Sequence, residues 1–388
     1  MTAKNLKKMK ILLVGEYNSS HKTLKDGLVA LGHEVTVVGL GDGFKKRMVD
    51  VNFEDKYTSG LPLFLKKVWF RLFKTDLTSL SIKKQFFRNK SIFENNDIVQ
   101  LINENSFQCL PPIERDLLRY IFDHNPNVFL LSCGTDHLSV TYAMEKKFRY
   151  SILTPYFEQK GNLKLYQPIL KYITPPYKAL HQFIYSNIKG IIASDLDYHI
   201  PLLGDPKYLG LAPNPIDLSE IAYIPMDISD KIHIFHGINR ANYYKKGNDL
   251  FEAALAIIQK KYPEKVKITT VVSVPYNEYI KAYDKAHILL DQVYAYDQGF
   301  NALEGMAKGK VVFTGAEQEW LDYHGLEADT VAINALPDPE SIAEKLVWLI
   351  ENPEKITEIS KNAREFVTKY HDHKVSAKNY LDKWQSAI

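Results

Sequence analysis

The chain has 388 residues, too many for one ordinary core, so two domains are the default. Its 45% hydrophobic and 24% charged content suits a packed globular protein and excludes a disordered one. A formal charge of +3 gives no global field for nucleic acid, and no run approaches the roughly 18 apolar residues of a spanning helix.

Residues 1–9 carry lysines, but the apolar run after them, Ile11 to Val14, is too short for a signal-peptide core. That run is expected to be a strand buried on both faces. Leu24, Leu28 and Leu31 then fall at helical spacing, Gly32 ends the helix, and Val35–Val38 gives a second strand. This is the βαβ opening of a doubly wound sheet. Asp97–Leu101, Val128–Ser132 and Gly190–Ser194 continue the series. Residues 44–90 and 137–188 interrupt the rhythm. Between 61 and 90 there are eight Lys or Arg and one Asp, interleaved with Phe64, Trp69, Phe70, Phe73, Phe86 and Phe87. Leu65, Trp69, Leu72 and Phe73 can share one helix face, so this segment either contacts an anionic membrane surface or packs its aromatic stripe on its own domain. Two cysteines, Cys109 and Cys133, allow at most one bridge, and a reducing cytoplasm is the simpler expectation.

A second βαβ series begins at Lys231–Gly237, with a helix over 248–260 and strands at 266–272, 288–292 and 311–314. Two prolines in Pro213-Asn214-Pro215 mark the join. Residues 341–388 read as mostly helical. The most informative segment runs from Tyr294 to Val312. Gly299 opens a helix whose first amides, at Phe300 and Asn301, offer unpaired donors and a positive dipole end to a phosphate. Glu304 can then accept two hydrogen bonds from a ribose diol. Phosphate plus ribose means a nucleotide. No Cys-x-x-Cys, His-Glu-x-x-His or Walker Gly-Lys-Ser/Thr is present, and His371 and His373 around Asp372 read as a solvated face.

Two Rossmann-like halves, a proline-containing join and a carboxylate helix resemble a GT-B glycosyltransferase, most closely the retaining family 4 type. His33-Glu34-Val35-Thr36-Val37 is similar to that family's first crossover, and Asn214-Pro215-Ile216-Asp217 to its interdomain segment. Gly237-Ile238-Asn239-Arg240 with Lys245-Lys246-Gly247 resembles its Arg/Lys pair, one residue more widely spaced than usual. The resemblance implies that Arg240, with Lys246 or Lys245, meets the donor diphosphate beside Gly237. A guanidinium and an ammonium would stabilise charge growing on the leaving phosphate. Glu304 would hold the ribose.

The family's paired-glutamate motif would put its first Glu at Tyr296, so the pattern is broken there, and Asp297 or Tyr296 stands in its place. In the first half, Asp136 and His137 after a strand either contact the reacting sugar or simply cap a helix. Ser19, Ser20 and His21 occupy a turn where the family carries glycines.

The expected fold is therefore α/β, a GT-B pair of Rossmann-like doubly wound domains facing across a cleft. Residues 1–212 form the acceptor domain and 213–370 the donor domain, with a last helix at about 371–388 packing back on the first. The resemblance implies sugar transfer from a nucleotide-sugar donor to a carbohydrate or lipid-linked acceptor, with no metal, cofactor or nucleic acid. An idle nucleotide-sugar binder, or a phosphorylase or epimerase on the same scaffold, shares these signals.

Overall fold

The computed structural model describes residues 8–40 and 49–388; the first seven residues of the basic start and the opening of the 44–90 stretch lie outside them. Ile11 to Val14 are fully buried because their strand, β1 (Lys10–Val14), has a parallel neighbour on each side. Around it the first lobe runs α1 (Ser20–Ala30), β2 (Glu34–Gly39), β3 (Val51–Asn52), α2 (Gly60–Phe73), α3 (Leu77–Arg88), β4 (Ile98–Leu101) and α4 (Pro111–His124). It continues with β5 (Val128–Ser132), α5 (His137–Met144), α6 (Thr154–Phe157), α7 (Gln167–Leu170), α8 (Pro175–Asn187), β6 (Gly190–Ala193), α9 (Leu196–Leu202) and β7 (Tyr208–Leu211). The strands form one parallel sheet in the order β3-β2-β1-β4-β5-β6-β7. The order reverses between β1 and β4, which places a binding crevice at their carboxyl ends.

The second lobe comprises β8 (Ile232–Ile238), α10 (Asn248–Lys261), β9 (Val266–Val272), α11 (Tyr276–Asp284), β10 (Ile288–Leu290) and α12 (Phe300–Ala307). After these come β11 (Val311–Thr314), α13 (Gln318–His324), β12 (Ile333–Asn334), α14 (Pro339–Glu351) and α15 (Pro353–Tyr370). Its parallel sheet has the order β12-β11-β10-β8-β9, so its own reversal lies between β8 and β10. The sequence-predicted strands agree with these to within a residue or two. The pairs β3 and β12, two residues each, and the four-residue β7 were not anticipated.

The last helix, α16 (His373–Ser386), crosses back to the first lobe. Ala377, Tyr380, Leu381 and Trp384 share a core with Ile11 and Leu13, and the Trp384 indole N–H donates to Gln100 Oε1 at 2.8 Å. Gly27 permits the close approach of α1 and α16: a Cβ there would lie 2.1 Å from the His373 carbonyl oxygen. At the crossing, the Ile216 N–H donates to the His371 carbonyl (2.7 Å) and the His373 N–H to the Ile216 carbonyl (3.0 Å). His371 and His373 are therefore buried, not solvated, and His371 Nδ1 donates to the Asn214 carbonyl at 2.9 Å. Burial lowers the His371 pKa to about 4, so the ring is neutral.

Candidate functional site

A cavity of about 1180 Å³ opens at the carboxyl ends of β8 and β10. Asn18 reaches its edge from the first lobe; the other lining residues come from the second. Lys246 and Asp291 form its charged wall. Gly247, at φ 72°, caps α10 and lies so close to Val293 that a Cβ would approach its side chain to 2.6 Å. The Val293 N–H donates to the Lys246 carbonyl at 3.0 Å. This packing sets the Lys246 backbone against the end of β10, and its ammonium meets Asp291 Oδ1 at 2.9 Å.

Asp291 is buried and also accepts from Asn301 Nδ2 at 2.9 Å. Asn301 is fixed in turn by two phenols. Tyr279 donates to its Oδ1 at 2.9 Å and Tyr283 to its backbone carbonyl at 2.7 Å. A lysine, a carboxylate and the first turn of α12 are thus tied into one unit. Gly299 is the N-cap of α12 and offers no side-chain cap, so the first-turn amides at Phe300 and Asn301 remain for a ligand. Glu304 lies on the same wall one turn further on. Val271, Ser273 and the start of α11 at Tyr276 and Tyr279 complete the lining. Aromatic rings on this side suit a flat base.

Gly237 lines the cavity, and a side chain there would strike Tyr279 and Phe235. Arg240 sits on the rim between the lining residues Asn239 and Asn242, with an exposed side chain and its N–H donating to Ser273 Oγ at 3.4 Å. Lys245 is turned to the first lobe, where its ammonium approaches the Leu165 carbonyl at 3.5 Å. Of the two lysines, Lys246 is the one on the cavity.

Four expected positions lie elsewhere. Asp297 does not line the cavity; its Oδ2 accepts the Leu196 N–H at 2.9 Å across the seam between the lobes. Tyr296 is there too, its hydroxyl accepting the Arg149 N–H at 2.9 Å while the Arg149 guanidinium pairs with Glu317 and Glu319. Neither residue is placed to stand in for the missing glutamate. Asp136 is the buried N-cap of α5, closed by a capping box with Ser139. His137 is held by its neighbours: its N–H donates to Glu104 Oε2 (3.0 Å) and its Nδ1 to the Tyr172 carbonyl (2.9 Å). The capping reading, not the sugar contact, matches what surrounds Asp136.

The seam brings together Asp195, Asp197 and Asp297, with one oxygen of each within 4.8 Å of the others. Burial first, then the neighbouring carboxylates, pushes Asp195 and Asp297 well above the usual range, and burial raises Asp197 to about 7. A second cavity, about 480 Å³, lies at the β1–β4 reversal of the first lobe, where Tyr17, Asn103, Lys171 and Tyr172 line it. Nearby, Asn18 and Ser19 take left-handed backbone angles, φ 51° and 72°. They supply, without glycine, the turn that the sequence left unexplained.

Residues 240–382 match the model of a family described as glycosyl transferase-like. No curated protein matches the sequence significantly. Among solved structures, sucrose-phosphate synthase from Thermosynechococcus elongatus is similar over 98% of this chain and 99% of its own, at 14% identity and a TM-score of 0.62. HepE from Anabaena, in complex with UDP and glucose, gives 13% identity and 0.58 over 97% and 100%. A glycosyltransferase from Rickettsia africae gives 12% identity and 0.53 over 98% and 99%. The fold is that of the GT-B proteins.

Proposed function

We propose that this GT-B protein, with its glycosyl transferase-like C-terminal lobe, moves a sugar from a nucleoside-diphosphate sugar to a hydroxyl acceptor. One observation carries the reading: the Lys246 ammonium, the open amides of α12 and Glu304 share one wall of an interlobe cavity large enough for such a donor. The diphosphate sits on Lys246 and the α12 amides, and Arg240 folds in from the rim. Glu304 takes the ribose hydroxyls, and the base lies along Ser273–Tyr276. HepE's complex with UDP-glucose supports uridine as the first base to test.

Transfer is assigned as retaining. The bond from the anomeric carbon to the diphosphate oxygen breaks, the acceptor oxygen bonds to that carbon on the same face, and its proton passes to the departing phosphate. Lys246, Arg240 and the helix amides stabilise the charge developing on that phosphate. Closure of the lobes excludes water from a reactive donor. The acceptor is a carbohydrate or lipid-linked hydroxyl entering by the first-lobe cavity, as in building a surface polysaccharide or glycolipid, with residues 61–90 on a membrane.

The test is a thermal-shift panel of UDP, GDP, ADP and their sugars, since a ligand at a hundred times its Kd adds about 2.7 kcal/mol. Stabilisation by one nucleotide class, with slow release of that nucleotide from its sugar, is expected. No shift with any of them would refute the reading.

A further inference from the structure

Helix α2 has no buried residue. Its inner side is polar. Lys66 donates to Thr78 Oγ1 at 2.7 Å and pairs with Asp76 at 3.4 Å, while the Trp69 indole donates to Thr75 Oγ1 at 2.8 Å. The face opposite Lys66 carries Leu61, Phe64, Leu65, Val68 and Leu72, in the i, i+3, i+4, i+7, i+11 series of one helical stripe. Their exposures of 69, 61, 49, 40 and 69% show the stripe is not covered by the chain's own core. Trp69, Phe70 and Phe73 are exposed as well, at 37, 44 and 56%, so the side expected from the sequence, which shares Leu65 and Leu72 with this stripe, is likewise not packed into the domain.

Lys67, Arg71 and Lys74 flank this stripe, and among the described residues none of them has a salt-bridge partner; residues 60–75 contain no acid. Lys84 and Arg88 on the adjoining helix α3 are exposed as well. A two-fold contact with a second copy would set these bases against themselves. Phosphate headgroups above an acyl layer complement both the bases and the stripe. No helix among the described residues is long and apolar enough to cross a bilayer.

We infer that α2 lies in the interface of an anionic lipid bilayer, Leu61–Leu72 side down, with Lys67, Arg71 and Lys74 at the headgroups. Lys66 is anchored where α3 begins, and Ser79 Oγ of α3 accepts the Leu110 N–H at 3.0 Å, two residues from the first-lobe cavity residue Gln108. Helix α3 thus links the lipid-facing helix to the lobe that carries the cavity assigned to the acceptor. This placement extends the transfer reading but uses no residue of the donor cavity.

The test is cosedimentation of the full chain, without donor, with phosphatidylcholine vesicles that contain or lack phosphatidylglycerol. Binding to the phosphatidylglycerol vesicles is expected, weakened by salt and by their omission. Phe64→Glu with Leu72→Glu should lower partitioning at least about thirtyfold, the scale of two large apolar side chains removed from the interface. Lys67→Glu with Arg71→Glu should remove the preference for phosphatidylglycerol. Nucleotide-induced thermal shifts should survive in both variants, which separates this inference from the transfer reading. A chain that stays in the supernatant, or binds equally well with Phe64→Glu and Leu72→Glu, overturns the placement. A dimer dissociated by the same pair would assign the face to a second copy instead.

Discussion

Asp197 and Asp297 exchange backbone partners across the two lobes. Asp197 Oδ2 accepts the Tyr296 N–H at 3.1 Å, while Asp297 Oδ2 accepts the Leu196 N–H one position before Asp197. Each carboxylate thus grips the residue preceding the other, and Asp195 crowds the pair.

This arrangement predicts a pH dependence of definite sign. Burial raises the Asp197 pKa in the folded chain to about 7 from its ordinary 3.8. The folded state therefore holds the proton more tightly than the unfolded one. The proton-linked contribution is complete below the unfolded value and lost as pH rises through about 7. Melting temperature should fall between pH 5 and 8. Asp197→Asn keeps an acceptor for Tyr296 but cannot ionise, so it should flatten that slope. A steeper slope in the variant would contradict the account.

Lys246→Ala should reduce kcat/KM by roughly two orders of magnitude, the scale of a charge-assisted diphosphate contact worth ~3 kcal/mol in the transition state. Lys245→Ala should change it by no more than about threefold, because that ammonium faces the first lobe rather than the cavity. Arg240→Ala should resemble Lys246→Ala. Steady-state kinetics with the donor found by thermal shift will rank the three.

If Glu304 holds a ribose diol, Glu304→Gln should weaken nucleotide binding about tenfold, near the value of one hydrogen bond to a charged group. The 2′-deoxynucleotide should lose little further affinity in that variant. Calorimetry on the four combinations of protein and nucleotide measures the coupling, and equal losses for both proteins would remove the assignment.

Gly27→Ala tests the clasp between α1 and α16. In an open helix the change would stabilise by up to about 1 kcal/mol. Here the added methyl meets the His373 carbonyl, so the melting temperature should fall. Trp384→Ala should cost about 3–5 kcal/mol, since the indole is fully buried. Thermal denaturation checks both signs.

The continuous apolar strands, such as Ile11–Val14 and Val311–Thr314, were legible because a strand flanked on both sides leaves no polar alternation. The α12 start and Glu304 could be read locally for the same reason that helix termini can: their chemistry lies within one turn. The partnership of Lys246 with Asp291 spans 45 positions and exists only once β8 and β10 are neighbours. Asp297 was misplaced for a related reason. It is two residues from the N-cap of the helix that faces the cavity, yet the segment before Gly299 turns it into the seam. Asp136 offered two local readings, and only the Ser139 hydroxyl and backbone decided between them. His371 and His373 looked solvated because the segment at Ile216 that hydrogen-bonds their backbone lies more than 150 residues away.

The polypeptide leaves the first sheet after β7 and returns to that lobe's core with α16, so the second sheet is spliced into the first lobe rather than appended to it. The two connections run side by side at Ile216 and Asp372, which pair in a parallel bridge. A single proteolytic nick at either tether would leave the other attached, and a clean excision needs both. Truncation before His373 would accordingly unseat Trp384 from the first lobe's core while sparing the five-stranded sheet.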